Sequence, residues 1–147
     1  MGIFQDLLIK KNLLKNNAFI WDAEKKVLKT INKINTINLE LLVGIDLQKK
    51  TLLENTINFS KGNFTNNALL WGSRGNGKST LIKSIFSHLN KNYKNLKLIQ
   101  INKNNIFDIE KIYSIIGSYE NMRFIIFIDD LSFEKIDSDY KIIKSTL

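Results

Sequence analysis

An α/β fold of three layers, a parallel sheet with helices on both sides, is predicted by three observations in this sequence. Apolar, strand-like runs alternate with segments of helical periodicity along most of the chain. A glycine-rich turn joins the run Ala68-Leu69-Leu70-Trp71 to a segment with apolar residues at 81, 82, 85, 86 and 89, one face of a helix. A later run, Phe124-Ile125-Ile126-Phe127-Ile128, is apolar throughout, as expected of a strand buried on both faces, and ends in Asp129-Asp130. The 147 residues, 44% of them hydrophobic, suffice for the core of one ordinary domain.

Taken in order, residues 3–15 carry Ile3, Phe4, Leu7, Leu8 and Leu14, with Lys10, Lys11 and Lys15 towards one end. This is a short amphipathic helix, expected to pack on its own domain, with a membrane-surface role the lesser alternative. Asn16-Asn17 breaks it. Ala18 to Trp21, Asp22 to Lys25 and Lys26 to Ile31 read as strand, turn and strand. Asn32 to Asn38 is polar, repeats Ile-Asn and reads as a linker. Residues 1–38 are therefore expected to be an N-terminal extension, and 39–147 the core. Asp46 is the expected N-cap of a helix from Leu47 to about Phe59 that ends near Gly62. Ala68 to Trp71 is the first core strand and is expected to be buried. Asn95 to Ile101 alternates like a second. Asp108 is expected to cap a helix whose apolar face is Ile109, Ile112, Tyr113, Ile115 and Ile116, closed by Gly117.

The glycine-rich turn carries chemistry. Gly72 and Gly77-Lys78-Ser79 fit G-x-x-x-x-G-K-[ST], the phosphate-binding loop. Small residues let the backbone of Gly72, Ser73, Arg74, Gly75, Asn76 and Gly77 curl, so that successive N–H groups point inward and form a nest for an anion. Lys78 sets a point charge beside the β- and γ-phosphates, and Ser79 offers its hydroxyl to Mg²⁺. The helix that begins here, through Thr80, adds the positive end of its dipole. Asp129, at the end of an apolar strand about 50 residues further on, suits a carboxylate that holds Mg²⁺ through water. Asp130 is expected to orient or activate the attacking water.

Composition limits the other options. There is no cysteine, so no disulfide framework or thiolate metal site, and His88 is the single histidine. The longest apolar run is far too short to span a bilayer, no signal-peptide pattern follows the start, and Asp6 spoils a myristoylation signal. A cytoplasmic protein without a membrane partner is expected. The net charge of +8 invites nucleic acid. However, Asn, Lys and Ile make up 62 of the 147 residues, Pro is absent and only two residues are Arg, the footprint of an AT-rich genome. The lysines are scattered, and a nucleic-acid binder would use Arg for bidentate contacts. Nucleic acid is thus open but not indicated.

The phosphate loop, the acidic pair (Walker B) and the turn at Gly44 resemble those of an AAA+ ATPase. Gly44-Ile45-Asp46, Asn55-Thr56, Leu69-Leu70-Trp71-Gly72-Ser73-Arg74-Gly75-Asn76-Gly77-Lys78-Ser79 and Asp129-Asp130-Leu131-Ser132-Phe133-Glu134 are similar to a narrower bacterial family of predicted AAA+ ATPases catalogued as a domain of unknown function. That resemblance runs from about Ala18 to the end. It implies a P-loop NTPase fold, ATP and Mg²⁺ as ligands, and hydrolysis coupled to a conformational change in an unknown protein partner. It further implies a ring-type homo-oligomer when full length, with the backbone of Val43, Gly44 and Ile45 against the adenine.

Two departures from the AAA+ pattern stand out. The second acid is usually Glu; Asp130 is a methylene shorter, and a misplacement of ~1 Å can cost ~10²-fold in rate. The narrower family also has Asp there. Glu134 is either a helper acid or, the better reading, an ordinary solvated glutamate. The chain also stops inside an expected helix, Asp139 to Thr146, before the sensor strand, arginine finger and helical lid that AAA+ proteins carry. Arg74 lies in the loop itself, and Arg123 reads as a solvated charge. A C-terminally truncated core, incomplete after Asp129-Asp130, is expected. A GTP switch is disfavoured because Asn102-Lys103-Asn104-Asn105 lacks the final Asp of N-K-x-D and precedes the acidic pair. A small-molecule kinase would need lid arginines. The remaining alternative is a nucleotide-dependent module that binds or loads another macromolecule, DNA included, with little turnover.

Overall fold

The structure, a computed structural model, describes residues 2–70 and 77–129. The chain divides into two compact units, Met1–Asn32 with Lys97–Leu147, and Lys33–Leu96.

In the first unit, helix α1 (Ile3–Lys15) leads into a hairpin of strands β1 (Ala18–Asp22) and β2 (Val27–Thr30). Asp22 makes the turn: its Oδ1 accepts the amides of Glu24 and Lys25, both at 3.0 Å, and its other oxygen pairs with Lys29. The hairpin is not set apart from the rest. β1 pairs in parallel with β3 (Leu96–Asn102), Phe19 opposite Ile99, and β4 (Arg123–Asp129) follows β3 in the sheet. The order β2-β1-β3-β4 gives an open, mostly parallel four-stranded sheet. A 3₁₀ segment, Lys103–Asp108, and helix α4 (Ile109–Ile116) connect β3 to β4, the crossover that parallel strands require.

Phe19, Trp21, Ile99 and Ile101 alternate along their strands and so share a sheet face. They form one buried cluster with Leu13 of α1 and Ile112 of α4. α1 therefore packs through Leu13, which is 1% exposed, while Ile3, Phe4, Leu7, Leu8 and Leu14 remain 51–82% exposed. The helix thus packs on its own domain as expected, but not through the five apolar residues that mark it in the sequence. Only one stripe of the helix can face the sheet, and Asn12 settles which. Its side chain accepts the Thr30 hydroxyl at 2.8 Å and donates to the Leu28 carbonyl at 3.4 Å.

β3 is also less regular than alternation suggests. Lys97 is buried, donating to the Asn16 carbonyl at 2.8 Å and to Asn17 Oδ1 at 3.2 Å, and burial pushes its pKa down. Among the described strands β4 stands at the sheet margin, where only Phe127 is buried outright and its apolar neighbours are half-buried. Burial on both faces does not hold there among the described residues, because the faces of a strand are buried only where other elements pack over them.

The second unit contains a 3₁₀ turn, Leu39–Leu41, and helices α2 (Asp46–Ser60) and α3 (Lys78–Asn90). α3 buries Leu81, Ser84, Ile85, Phe86 and Leu89, close to the expected face. The Ser84 hydroxyl accepts the Ile37 amide at 3.1 Å, which fastens the segment read as a linker to this helix. α2 ends as expected, with Gly62 at φ +94 and its amide on the Phe59 carbonyl, a left-handed stop. Its start differs. Ile45 occupies the N-cap and Asp46 lies inside the first turn, 3.7 Å from Lys49, without capping an amide. The expected strand from Ala68 is also not formed. Asn63 to Leu70 has no regular structure, and Leu69 is 51% exposed. Apolar residues favour a strand, but one exists only through hydrogen bonds to a neighbour; here Asn66 instead gives its carbonyl to the Asn55 side chain, at 3.0 Å. Trp71 lies outside the described residues.

Candidate functional site

Within the second unit, the glycine that closes the phosphate-loop pattern adopts the conformation that only glycine takes without strain. Gly77 has φ +84 and ψ +11, caps α3 and accepts the first helical hydrogen bond, from Leu81 N at 2.8 Å. α3 then starts at Lys78, and Lys78, Ser79 and Thr80 form its half-buried first turn. The backbone amides of a first turn lie ahead of the helical ladder and carry the positive end of the dipole.

What stands beside Gly77 is informative. Among the described residues, a Cβ added there would meet only Leu42 Cδ2, at 3.9 Å. Val43, Gly44 and Ile45 follow Leu42 directly in the chain. Gly44 turns the chain at φ +83, Val43 is 85% exposed, and Ile45 begins α2. Lys49 holds this turn by donating to the carbonyls of Leu39 (3.0 Å) and Leu42 (3.4 Å). Gly72, Ser73, Arg74, Gly75 and Asn76 lie outside the described residues.

In the first unit, Asp129 is the exposed last residue of β4, at the carboxyl end of the strand, where ligands of open α/β sheets bind. β1 ends in Asp22 and β3 in Asn102. Asn102 uses its side chain locally, accepting the Asn104 amide at 2.9 Å. Asp130 and Glu134 lie outside the described residues. No group of three or more acidic or histidine side chains is gathered for a metal among the described residues, and none of their helices is long and apolar enough to cross a membrane.

Sequence reasoning missed the most connected carboxylate among the described residues. Asp108 does not cap α4 with its side chain. Its oxygens instead accept Trp21 Nε1 at 2.9 Å and Lys26 Nζ at 3.0 and 3.1 Å, with Lys111 Nζ at 3.5 Å. The Trp21 hydrogen bond, then that of Lys26, holds its carboxyl below the ordinary range. Asp22 is lowered to about 2, by Lys29 first and then by the amides of its own turn. Trp21 and Lys26 precede Asp108 by 87 and 82 residues, so no local pattern announces this knot. A shallow, open groove of about 410 Å³ lined by Ile20, Trp21, Asp22, Glu24, Lys29 and Asn105 lies near it and contains no sequence-predicted site residue.

The fold defines an α/β protein with an open, mostly parallel sheet. Residues 14–147 match the family described as "Protein of unknown function (DUF815)", and the chain belongs to that family. No curated protein and no solved structure matches it.

Proposed function

We propose that this chain binds ATP with Mg²⁺ through an AAA+ type P-loop and, as part of the full protein, hydrolyses it to drive a conformational change in a partner. The observation that carries the reading is Gly77. The sequence pattern requires a glycine where backbone and phosphate nearly touch, and this glycine sits at φ +84 directly ahead of a helix that begins with Lys78 and Ser79. Gly72, Ser73, Arg74, Gly75, Asn76 and Gly77 are assigned to the phosphates by the sequence pattern, Lys78 to a charge for the β- and γ-phosphates, and Thr80 to a further first-turn amide. Val43, Gly44 and Ile45 are the residues assigned to the adenine, and their neighbour Leu42 touches the Gly77 position.

The donors proposed for the metal, the Ser79 hydroxyl and the Asp129 carboxylate, are hard oxygens of the kind Mg²⁺ prefers. Bound Mg²⁺ would supply charge neutralisation on the phosphates. Asp130 is assigned to the attacking water, so phosphoryl transfer rests on positioning and charge rather than on a covalent intermediate. A homo-oligomer and a protein partner belong to the same proposal.

The test is the melting temperature of the chain with and without Mg-ATP and, separately, Mg-GTP, beside Lys78→Ala. A ligand at 100 times its Kd stabilises by about 2.7 kcal/mol, a shift of roughly 5–10 °C at this size. An upshift with ATP alone that Lys78→Ala abolishes supports the proposal; no upshift with either nucleotide overturns it for this chain.

A further inference from the structure

The first helix turns its most apolar face away from the fold. At 100° per residue, Ile3, Phe4, Leu7, Leu8 and Leu14 fall within an arc of about 140°, on the side opposite Ile9 and Leu13. All five are more than half exposed, Ile3 reaching 82% and Phe4 74%. The helix is nevertheless held in place: Leu13 is fully buried, and Asn12 bonds both Thr30 and Leu28 of β2. The face is therefore presented ready-made, with the helix already folded and oriented.

Charge says what it suits. Lys11 and Lys15 lie within the same arc and Lys10 on its border; all three are exposed, with no carboxylate partner among the described residues. Polarity is graded along the axis. Within this face the first two turns are apolar, with Ile3 to Leu8 spanning roughly 7.5 Å and with Gln5 and Asp6 lying outside the arc, and the last two carry the lysines. Tilted with its first turns inward on a planar anionic lipid surface, such a helix sets the apolar side chains about 5–10 Å into the acyl boundary and leaves the lysines among the negatively charged headgroups. A second copy of this chain fits less well, since like faces would bring two sets of three lysines together.

We infer that α1 is an interfacial helix that docks this protein on anionic membrane surfaces. This takes up the lesser alternative read for the helix in the sequence, in place of the expectation of no membrane partner, which rested on the short apolar runs and the missing targeting signals.

The test is co-sedimentation of the full chain with phosphatidylcholine vesicles and with vesicles containing 30% phosphatidylglycerol. Two variants are compared, Lys10→Gln/Lys11→Gln/Lys15→Gln and the charge-preserving Leu7→Ser/Leu8→Ser. These side chains are exposed, so both variants should melt like the parent, which is checked first. Binding is expected to need the anionic lipid. It should weaken about a hundredfold in the lysine variant, at ~1 kcal/mol per lysine, and at least about tenfold in the leucine variant. Equal binding to both vesicles, or none, overturns the inference. So does a leucine variant that binds like the parent, since the charge of +8 alone would then explain adsorption. Self-association that the leucine substitutions abolish would also overturn it, because a second copy would cover the face.

Discussion

Gly77→Ala separates backbone strain from nucleotide binding. With φ at +84, an alanine must adopt a left-handed conformation that costs about 1–2 kcal/mol. No steric term adds to this among the described residues, since the new Cβ would meet only Leu42 Cδ2 at an ordinary 3.9 Å. At roughly 2–4 °C per kcal/mol for a chain of this size, the melting temperature should fall by about 3–6 °C. Gly62 is the matching control, with φ +94, an open Cβ position and no proposed ligand nearby, so Gly62→Ala should cost a similar amount. The two should part when Mg-ATP is added at 100 times its parental Kd. Gly62→Ala should keep the full upshift. In Gly77→Ala, a methyl group at the phosphate and a hundredfold weaker complex would leave only RT ln 2, about 0.4 kcal/mol and about 1 °C. Differential scanning fluorimetry on the three proteins suffices. If Gly77→Ala retains the parental upshift, Gly77 does not lie against a phosphate and the reasoning fails.

The Asp108 knot should be cooperative. Asp108→Ala strands the buried Trp21 indole N–H and should cost about 2 kcal/mol, and a double-mutant cycle with Trp21→Phe in urea melts should give a coupling of at least ~0.5 kcal/mol; strict additivity would show that the hydrogen bond does not hold the fold. Acid should destabilise the protein in a defined window. Asp22 is lowered from 3.8 to about 2, and Asp108 is lowered too. The Asp22 contribution is thus complete above its ordinary 3.8 and lost as the pH falls through about 2, and that of Asp108 is lost in the same direction, so the urea midpoint should drop between pH 4 and 2, and drop less in Asp22→Asn. Gly117→Ala should destabilise despite an unremarkable φ of −64, because its Cβ would stand 2.8 Å from the Tyr113 carbonyl oxygen; a loss of about 1–3 kcal/mol by thermal melting is expected.

What the sequence reveals here is what is local. The β1–β2 hairpin, α3 with its apolar stripe, the stop at Gly62 and the boundaries of α4 all follow from periodicity or turn chemistry spanning a few residues. Misreadings arise where a distant partner decides. Whether α1 buries Leu7 or Leu13 depends on where Asn12 meets β2. Lys97 sits inside because Asn16 and Asn17, about 80 positions earlier, offer oxygens to its ammonium group. Ala68 to Leu70 has strand composition without strand pairing, and Phe124 to Ile128 has the composition of a central strand but a marginal place among the described strands. For the candidate site, the sequence marks Gly77 by spacing alone; its φ and its neighbour Leu42 are what coordinates add.

The indole of Trp21 has a practical consequence. It is 4% exposed and bonded to a carboxylate, and the chain has only one other tryptophan, Trp71, immediately before Gly72. The protein thus carries two intrinsic fluorophores with separable tasks. In a Trp71→Phe background, blue-shifted emission from Trp21 would follow the integrity of the sheet alone. In a Trp21→Phe background, Trp71 would become a label-free optical sensor for whatever arrives at the glycine-rich turn.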